Sequence, residues 1–302
     1  MAQSIGGTTF ISLEQRHLST LKTRRWKTVQ IIFRNPTSVA GLLIILLMIV
    51  AAAAAPLIAP YPPSEVHIRD KVSPPGDTYW FGTDQFGRDI LSRLLYGTRI
   101  SLFLSIGGVL LATAIGTIIG AIAGFGRRWV DEVLMRVMDI LMAFPYIVLA
   151  IALIAIVGPS LRNIVLVVAF TRIPQFARVV RGSVLVLRDA EYVVAARTVG
   201  VSEGQILMRH VLPNTLSPIV VLASLSMATA ILTEASMSFL GLGVQPPTAS
   251  WGTMIGDGRN YIDDGFWIST VPGLAISLTI LGFNLLGDGL RDALDPRLRS
   301  RV

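Results

Sequence analysis

The sequence predicts an all-α integral membrane protein with six transmembrane helices, and three observations carry that expectation. Only 15% of the 302 residues are charged and the mean hydropathy is +0.64, too apolar for a soluble chain of this length. Apolar runs long enough to cross the hydrocarbon recur between polar connectors. The 26 Lys and Arg residues gather mainly in alternate connectors, the asymmetry that orients spans with basic flanks on the cytoplasmic side. The chain has no cysteine, which excludes a disulfide framework, a thiolate metal site and a cysteine nucleophile. Its net charge of +7 lies beside apolar runs and not on one soluble face, so no nucleic-acid partner is expected.

Residues 1–38 form a polar N-terminal region containing Arg16, Lys22, Arg24, Arg25, Lys27 and Arg34. The first span, 39–59, is apolar throughout and about 31 Å long at ~1.5 Å per residue, so it is expected to stay uncleaved in a bilayer. Residues 60–97 follow as an outer loop. Pro60, Pro62, Pro63, Pro74 and Pro75 prevent long helices there, and Tyr79-Trp80-Phe81 suits the headgroup region. Asp84, Gly87, Arg88 and Asp89 form a loop motif in which Arg88 is expected to pair with a carboxylate. The two aspartates offer too few oxygens at this spacing for a metal site.

Residues 98–290 make up the remaining transmembrane domain. The span Ile100–Phe125 carries Gly116, Gly120 and Gly124 on one helix face, fit for close packing against a neighbour. Val133–Val157 returns with a kink expected at Pro145, and Ile164–Val180 is interrupted by Arg172 and Pro174 before Arg178 and Arg181 reach water. Thr215–Leu240 holds Ser224, Thr229, Thr233 and Glu234, too polar to face lipid all round. These are expected to line a water-filled path, with the outer headgroup level as the alternative for Glu234. Residues 241–267 form an outer loop with Trp251 and Trp267 as interface anchors. Ile268–Leu290 is the last span, and the basic tail 291–302 follows it.

Between the fourth and fifth spans lies a polar island, residues 189–213. One short helix is expected from Asp189 to Val199, stopped by Gly200 in a left-handed conformation. A second is opened by Ser202, whose spacing to Gln205 fits a capping box. Helices this short bury too little apolar surface to stand alone, so the island must lean on the membrane domain or on another protein. The basic asymmetry places it, with both termini, in the cytoplasm.

Ala195, Ala196, Gly200, Leu212 and Pro213 match the Ala-Ala, Gly and Leu-Pro positions of a cytoplasmic loop. In these residues the chain resembles the permease subunits of binding-protein-dependent ABC importers. Val194 stands where that pattern has Glu, with Glu191 one turn earlier taking its place, and His210 stands where it has Ile. The blocks Trp80–Asp89, Arg209–Asn214 and Phe283–Pro296 resemble the peptide and nickel branch, in particular dipeptide and oligopeptide permeases of the C type.

The resemblance implies the type I permease fold in a bacterial inner membrane. It further implies a second homologous permease chain around a translocation path, two cytoplasmic ATPases that bind ATP and Mg, and an extracytoplasmic substrate-binding protein. Coupling to the ATPases would fall on Glu191, Ala195, Ala196, Arg197, Gly200, Arg209, His210, Leu212 and Pro213. No catalytic residue and no cofactor of its own are implied for this chain, and its lysines, Lys22, Lys27 and Lys71, follow no glycine as a Walker A motif requires. Dipeptides or oligopeptides are the first substrates to consider, then glutathione and nickel complexes. Two rival classes follow from single residues. An intramembrane aspartyl protease would use Asp139 and Asp288, but its signature needs glycine where the chain has Leu285. An ion-driven secondary transporter would use Glu234 as a proton carrier.

Overall fold

The computed structural model describes Phe33 and residues 35–294; the basic N-terminal flank and the tail past Leu294 lie outside the described residues. The chain is almost wholly helical: α1 (Pro36–Ile58), α2 (Ile90–Phe125), α3 (Arg128–Met142), α4 (Tyr146–Val157), α5 (Leu161–Leu187), α6 (Glu191–Thr198), α7 (Glu203–Ile206), α8 (Leu212–Phe239), α9 (Trp251–Gly258) and α10 (Trp267–Leu294). A π turn, Leu207–Val211, joins α7 to α8, so Glu203–Phe239 is one helix of 37 residues. Among the described residues, five helices are long and apolar enough to cross a membrane, and α3 with α4 makes a sixth if the pair is one span.

That pair corrects the expectation of a kinked helix at 133–157. The helix breaks here because Pro145 supplies no amide to a continuing helix and disfavours the α region for the residue before it, and the two halves meet at 89°. The expected interruption of α5 is also corrected: the helix runs unbroken through Arg172 and Pro174. Arg178 and Arg181 do not reach into water alone. They pair with Asp139 and Asp131 of α3, each with one N···O contact at 2.6 Å, and so tie α3 to α5.

The glycine face of α2 packs as its spacing implies. A Cβ at Gly116 or Gly120 would run into Phe176 or Ala177 of α5, and one at Gly124 into Val184. The two backbones therefore approach closely along their length. Leu104, Val109, Ile164, Val168, Phe176 and Met237 fill the core between α2, α5 and α8, while Ile231, Ile276 and Phe283 join α8 to α10. Asn35 starts α1 by accepting a hydrogen bond from the amide of Thr37 at 3.1 Å, with Pro36 at the first helical position.

Helix α2 begins at Ile90, within the segment 60–97 expected as a loop. Asp89 caps α2, its carboxylate accepting from the Ser92 amide at 2.8 Å. Trp251 and Trp267 are not interface anchors: both are buried, their ring N–H groups donating to the carbonyls of Leu94 and Thr83 at 3.3 Å. An indole at a span boundary satisfies its polar edge equally well on protein carbonyls. Tyr79 is likewise buried and donates to Asp70 at 3.0 Å. Burial and the Asp70 carboxylate push its phenol up to about 12.

Candidate functional site

The polar island sits at the end of the bundle where α2 finishes and α5 turns back. Arg188, which caps α5, donates to the carbonyl of Gly124 at 3.1 Å and fixes the exit. After α6 the chain closes a Schellman motif. The amide of Gly200 bonds to Arg197 O and the amide of Val201 to Ala196 O, both at 3.1 Å. Gly200 has φ +86° and nothing near its missing Cβ, so conformation alone calls for glycine there.

The second helix begins where expected, but the capping box is absent. Ser202 makes no side-chain cap bond. Glu203 is instead held by Arg197, through contacts of 2.7 and 3.2 Å that bridge α6 and α7. Nor does Pro213 break the exit into α8. The helix absorbs the missing amide through the π turn, whose last bond runs from Leu212 N to Leu207 O, and Asn214 Nδ2 donates to the His210 carbonyl at 2.6 Å.

The island has two faces. On one, Val193, Ile206 and Val211 are fully buried and pack with Val180 and Val184 of α5, Ala121 of α2 and Ile219 of α8. On the other, Glu191, Tyr192, Val194, Ala195, Arg197, Val199, Met208 and Arg209 are exposed, with Val199 and Met208 showing 79% and 65% of their surface. His210 and Leu212 lie between the two faces, and Pro213 is exposed. The structure therefore gathers Glu191, Ala195, Arg197, Gly200, Arg209 and Pro213 of the predicted coupling residues on the exposed side of the island, while Ala196 and Leu212 pack against its buried face.

At the opposite end the loop motif is closed. Asp84 accepts the amides of Phe86 and Arg88 at 2.8 and 3.0 Å and the Arg88 guanidinium at 2.6 Å. Arg93 reaches the same carboxylate at 3.4 Å, and both arginines contact Asp257 of α9, at 3.3 and 3.7 Å. Gly87 has φ +76°, and a Cβ there would collide with the His67 carbonyl. The pairing foreseen for Arg88 holds; the share of Arg93 and of the distant Asp257 was not legible, since neither belongs to the motif's run.

The four residues expected along a path are mostly turned into the subunit's own packing, which corrects that reading for this single chain. Glu234 is fully buried, accepting from Ser101 Oγ at 3.2 Å and Ser238 Oγ at 2.8 Å, and so lines no open path in this chain. Ser224 donates to the Phe283 carbonyl at 3.2 Å, and Thr233 to the Thr229 carbonyl at 2.8 Å. Thr229 alone of the four is partly exposed. Asp139, one of the two protease candidates, is half exposed and paired to Arg178 at 2.6 Å. A buried carboxylate costs less than expected in a span when hydroxyls surround it; Ser238 stands one turn from Glu234 on α8, whereas Ser101 comes from α2, which sequence order does not bring to it.

Residues 116–300 match the family described as binding-protein-dependent transport system inner membrane component, and residues 25–75 match the N-terminal TM domain of oligopeptide transport permease C. The chain is 45% identical to the dipeptide transport system permease protein of Alkalihalophilus pseudofirmus, over 88% of each chain. It is also 45% identical to the glutathione transport system permease protein of Pectobacterium atrosepticum, over 94% of this chain and 97% of the other. Its fold is similar to that of the MetNI methionine ABC transporter in an inward-facing conformation, with TM-score 0.56 at 18% identity, covering 67% of this chain and 97% of that one.

Proposed function

We infer the function from a plain premise: this chain belongs to the family of binding-protein-dependent transport system inner membrane components. It is a permease subunit of an ABC importer, a multi-pass protein of the inner membrane. We propose the finer assignment as follows. The chain encloses a path together with a second homologous permease, takes short peptides or related solutes from an extracytoplasmic binding protein, and is driven by two cytoplasmic ATPases that hold ATP and Mg. It contributes no catalytic residue and no cofactor. Both termini and the island face the cytoplasm.

The two-faced island carries this reading. Val193, Ile206 and Val211 anchor it to three long helices, while Tyr192, Val194, Val199 and Met208 stand apolar and outward, as a surface does that another protein covers. Glu191, Ala195, Ala196, Arg197, Gly200, Arg209, His210, Leu212 and Pro213 form or support that surface. The continuity of Glu203–Phe239 supplies the mechanics: about 47 Å of that helix, at ~1.5 Å per residue, joins Glu203 of the island to the buried Glu234. Moving a two-state equilibrium from 1:99 to 99:1 takes about 5.5 kcal/mol, and a stiff helix can carry such a bias from ATPase closure to the far end of the bundle.

The absence of cysteine makes the test direct. Val199→Cys and Met208→Cys, in the complex with its ATPases, should cross-link to an ATPase subunit and react with an impermeant reagent only from the cytoplasmic side. Labelling in intact cells would overturn the topology, and cross-links to no ATPase would overturn the coupling role.

A further inference from the structure

Arg172 lies about 17 Å along α5 at ~1.5 Å per residue, inside a candidate span, and only 7% of it is exposed. Its Nη2 donates to Thr233 Oγ1 at 3.3 Å, its guanidinium carbon sits 4.4 Å from the centroid of the Tyr146 ring, and its buried Nε has no hydrogen-bond partner. Among the described residues no carboxylate pairs with it. The contrast within the chain is sharp: buried Arg88 and Arg93 share Asp84 and Asp257, and Arg178 and Arg181 have Asp139 and Asp131.

Beside Arg172, at the elbow between α3 and α4, is a cavity of about 340 Å³ walled by Phe144, Tyr146, Thr171, Arg172 and Gln175. Thr171 and Gln175 stand one turn apart on α5. A charged side chain buried in a span without a counter-ion is unfavourable unless something pairs with it. The planar guanidinium fork matches a carboxylate, and the cavity lies within the size range of small-ligand sites.

We propose that Arg172 and the elbow cavity bind the free carboxylate of a short peptide in transit. The inference rests on the peptide-import reading above. The aromatic walls fit apolar side chains, Gln175 is placed to bond a peptide amide, and the arginine fixes the carboxyl end.

The test uses the whole transporter, with its ATPases and binding protein, in proteoliposomes. Uptake of labelled Ala-Ala and of Ala-Ala amide is compared in wild type, Arg172→Met and Arg172→Lys, both ligands being supplied at concentrations that saturate the binding protein. The same binding protein serves every variant, so its own preference cancels from the ratio of ratios. R172M should lower uptake of the free acid at least tenfold and change the amide less than twofold. R172K keeps the charge without the fork and should fall between. ATPase activity without peptide reports assembly, and if R172M fails to assemble, R172K decides by the same ratio. Equal loss of both ligands overturns the inference in favour of a structural arginine or one paired with an acid of the second permease, and no loss overturns it outright. A wild-type complex that imports neither ligand overturns the peptide-import reading and the inference with it.

Discussion

The two ends of the bundle handle polar residues in opposite ways. At the loop end, Asp84, Arg88, Arg93 and Glu234 are buried and satisfied within the chain. At the island end the charged pair, Arg197 with Glu203, is solvated, and large apolar side chains stand outside it. One end is closed on itself; the other is anchored on one face and open on the other. The difference teaches that burial of charge, more than motif content, separates a structural end from a docking end, because a buried ion cluster fixes one geometry whereas exposed apolar groups wait for a partner.

The largest effect should come from breaking the closed end. Asp84→Asn leaves Arg88 and Arg93 buried around a neutral amide, with only the more distant Asp257 as counter-ion. A loss of about 3–5 kcal/mol is expected, as for other broken buried pairs, read as a large drop in the thermal midpoint of detergent-solubilised protein. An unchanged midpoint would mean that the cluster is wet and the two ends are alike.

Next comes the anchored face of the island. Ile206→Ala removes a fully buried side chain among Val180, Val184, Val193 and Val211, for an expected loss of about 2–4 kcal/mol. Hydrogen exchange should quicken within 189–211 and remain as it was within 60–89. Quickening at both ends would show that the island is not a separate cooperative unit.

Glycines then give a matched pair. Gly87 and Gly200 share a left-handed backbone, at φ +76° and +86°, yet a Cβ at Gly87 strikes the His67 carbonyl while the space around Gly200 is open. Gly200→Ala should cost about 1–2 kcal/mol, the conformational term alone, and Gly87→Ala distinctly more, both by thermal unfolding. Equal costs would remove the steric half of the comparison.

Much of this was readable from the residues, for identifiable reasons. Local signals survived: Gly200 ends α6, the Gly116, Gly120 and Gly124 stripe meets α5, and Arg88 pairs with a carboxylate. Signals that depend on which side of a boundary a group falls did not. Trp251 and Trp267 look alike at a lipid headgroup and in a protein joint, and Glu234 looks alike in a water-filled path and among serine hydroxyls. Pro145 announces a break but not its 89° angle, which the packing of α3 against α5 through Asp131 and Asp139 decides.

The smallest effect on stability should come from the exposed pair. Arg197 and Glu203 gain little from each other in water, since screening and side-chain entropy offset most of the attraction; Arg197→Ala should leave the thermal midpoint unchanged. Its effect on transport can still be large, and charge exchange separates the reasons. In the doubly substituted Arg197→Glu, Glu203→Arg protein the bridge between α6 and α7 can re-form with its sign reversed. If import then recovers from the level of Arg197→Glu alone, the pair works by holding the two short helices together across Gly200. If import stays low while the midpoint is normal, the charge at 197 is read by a partner, and the open end is a docking end down to a single guanidinium.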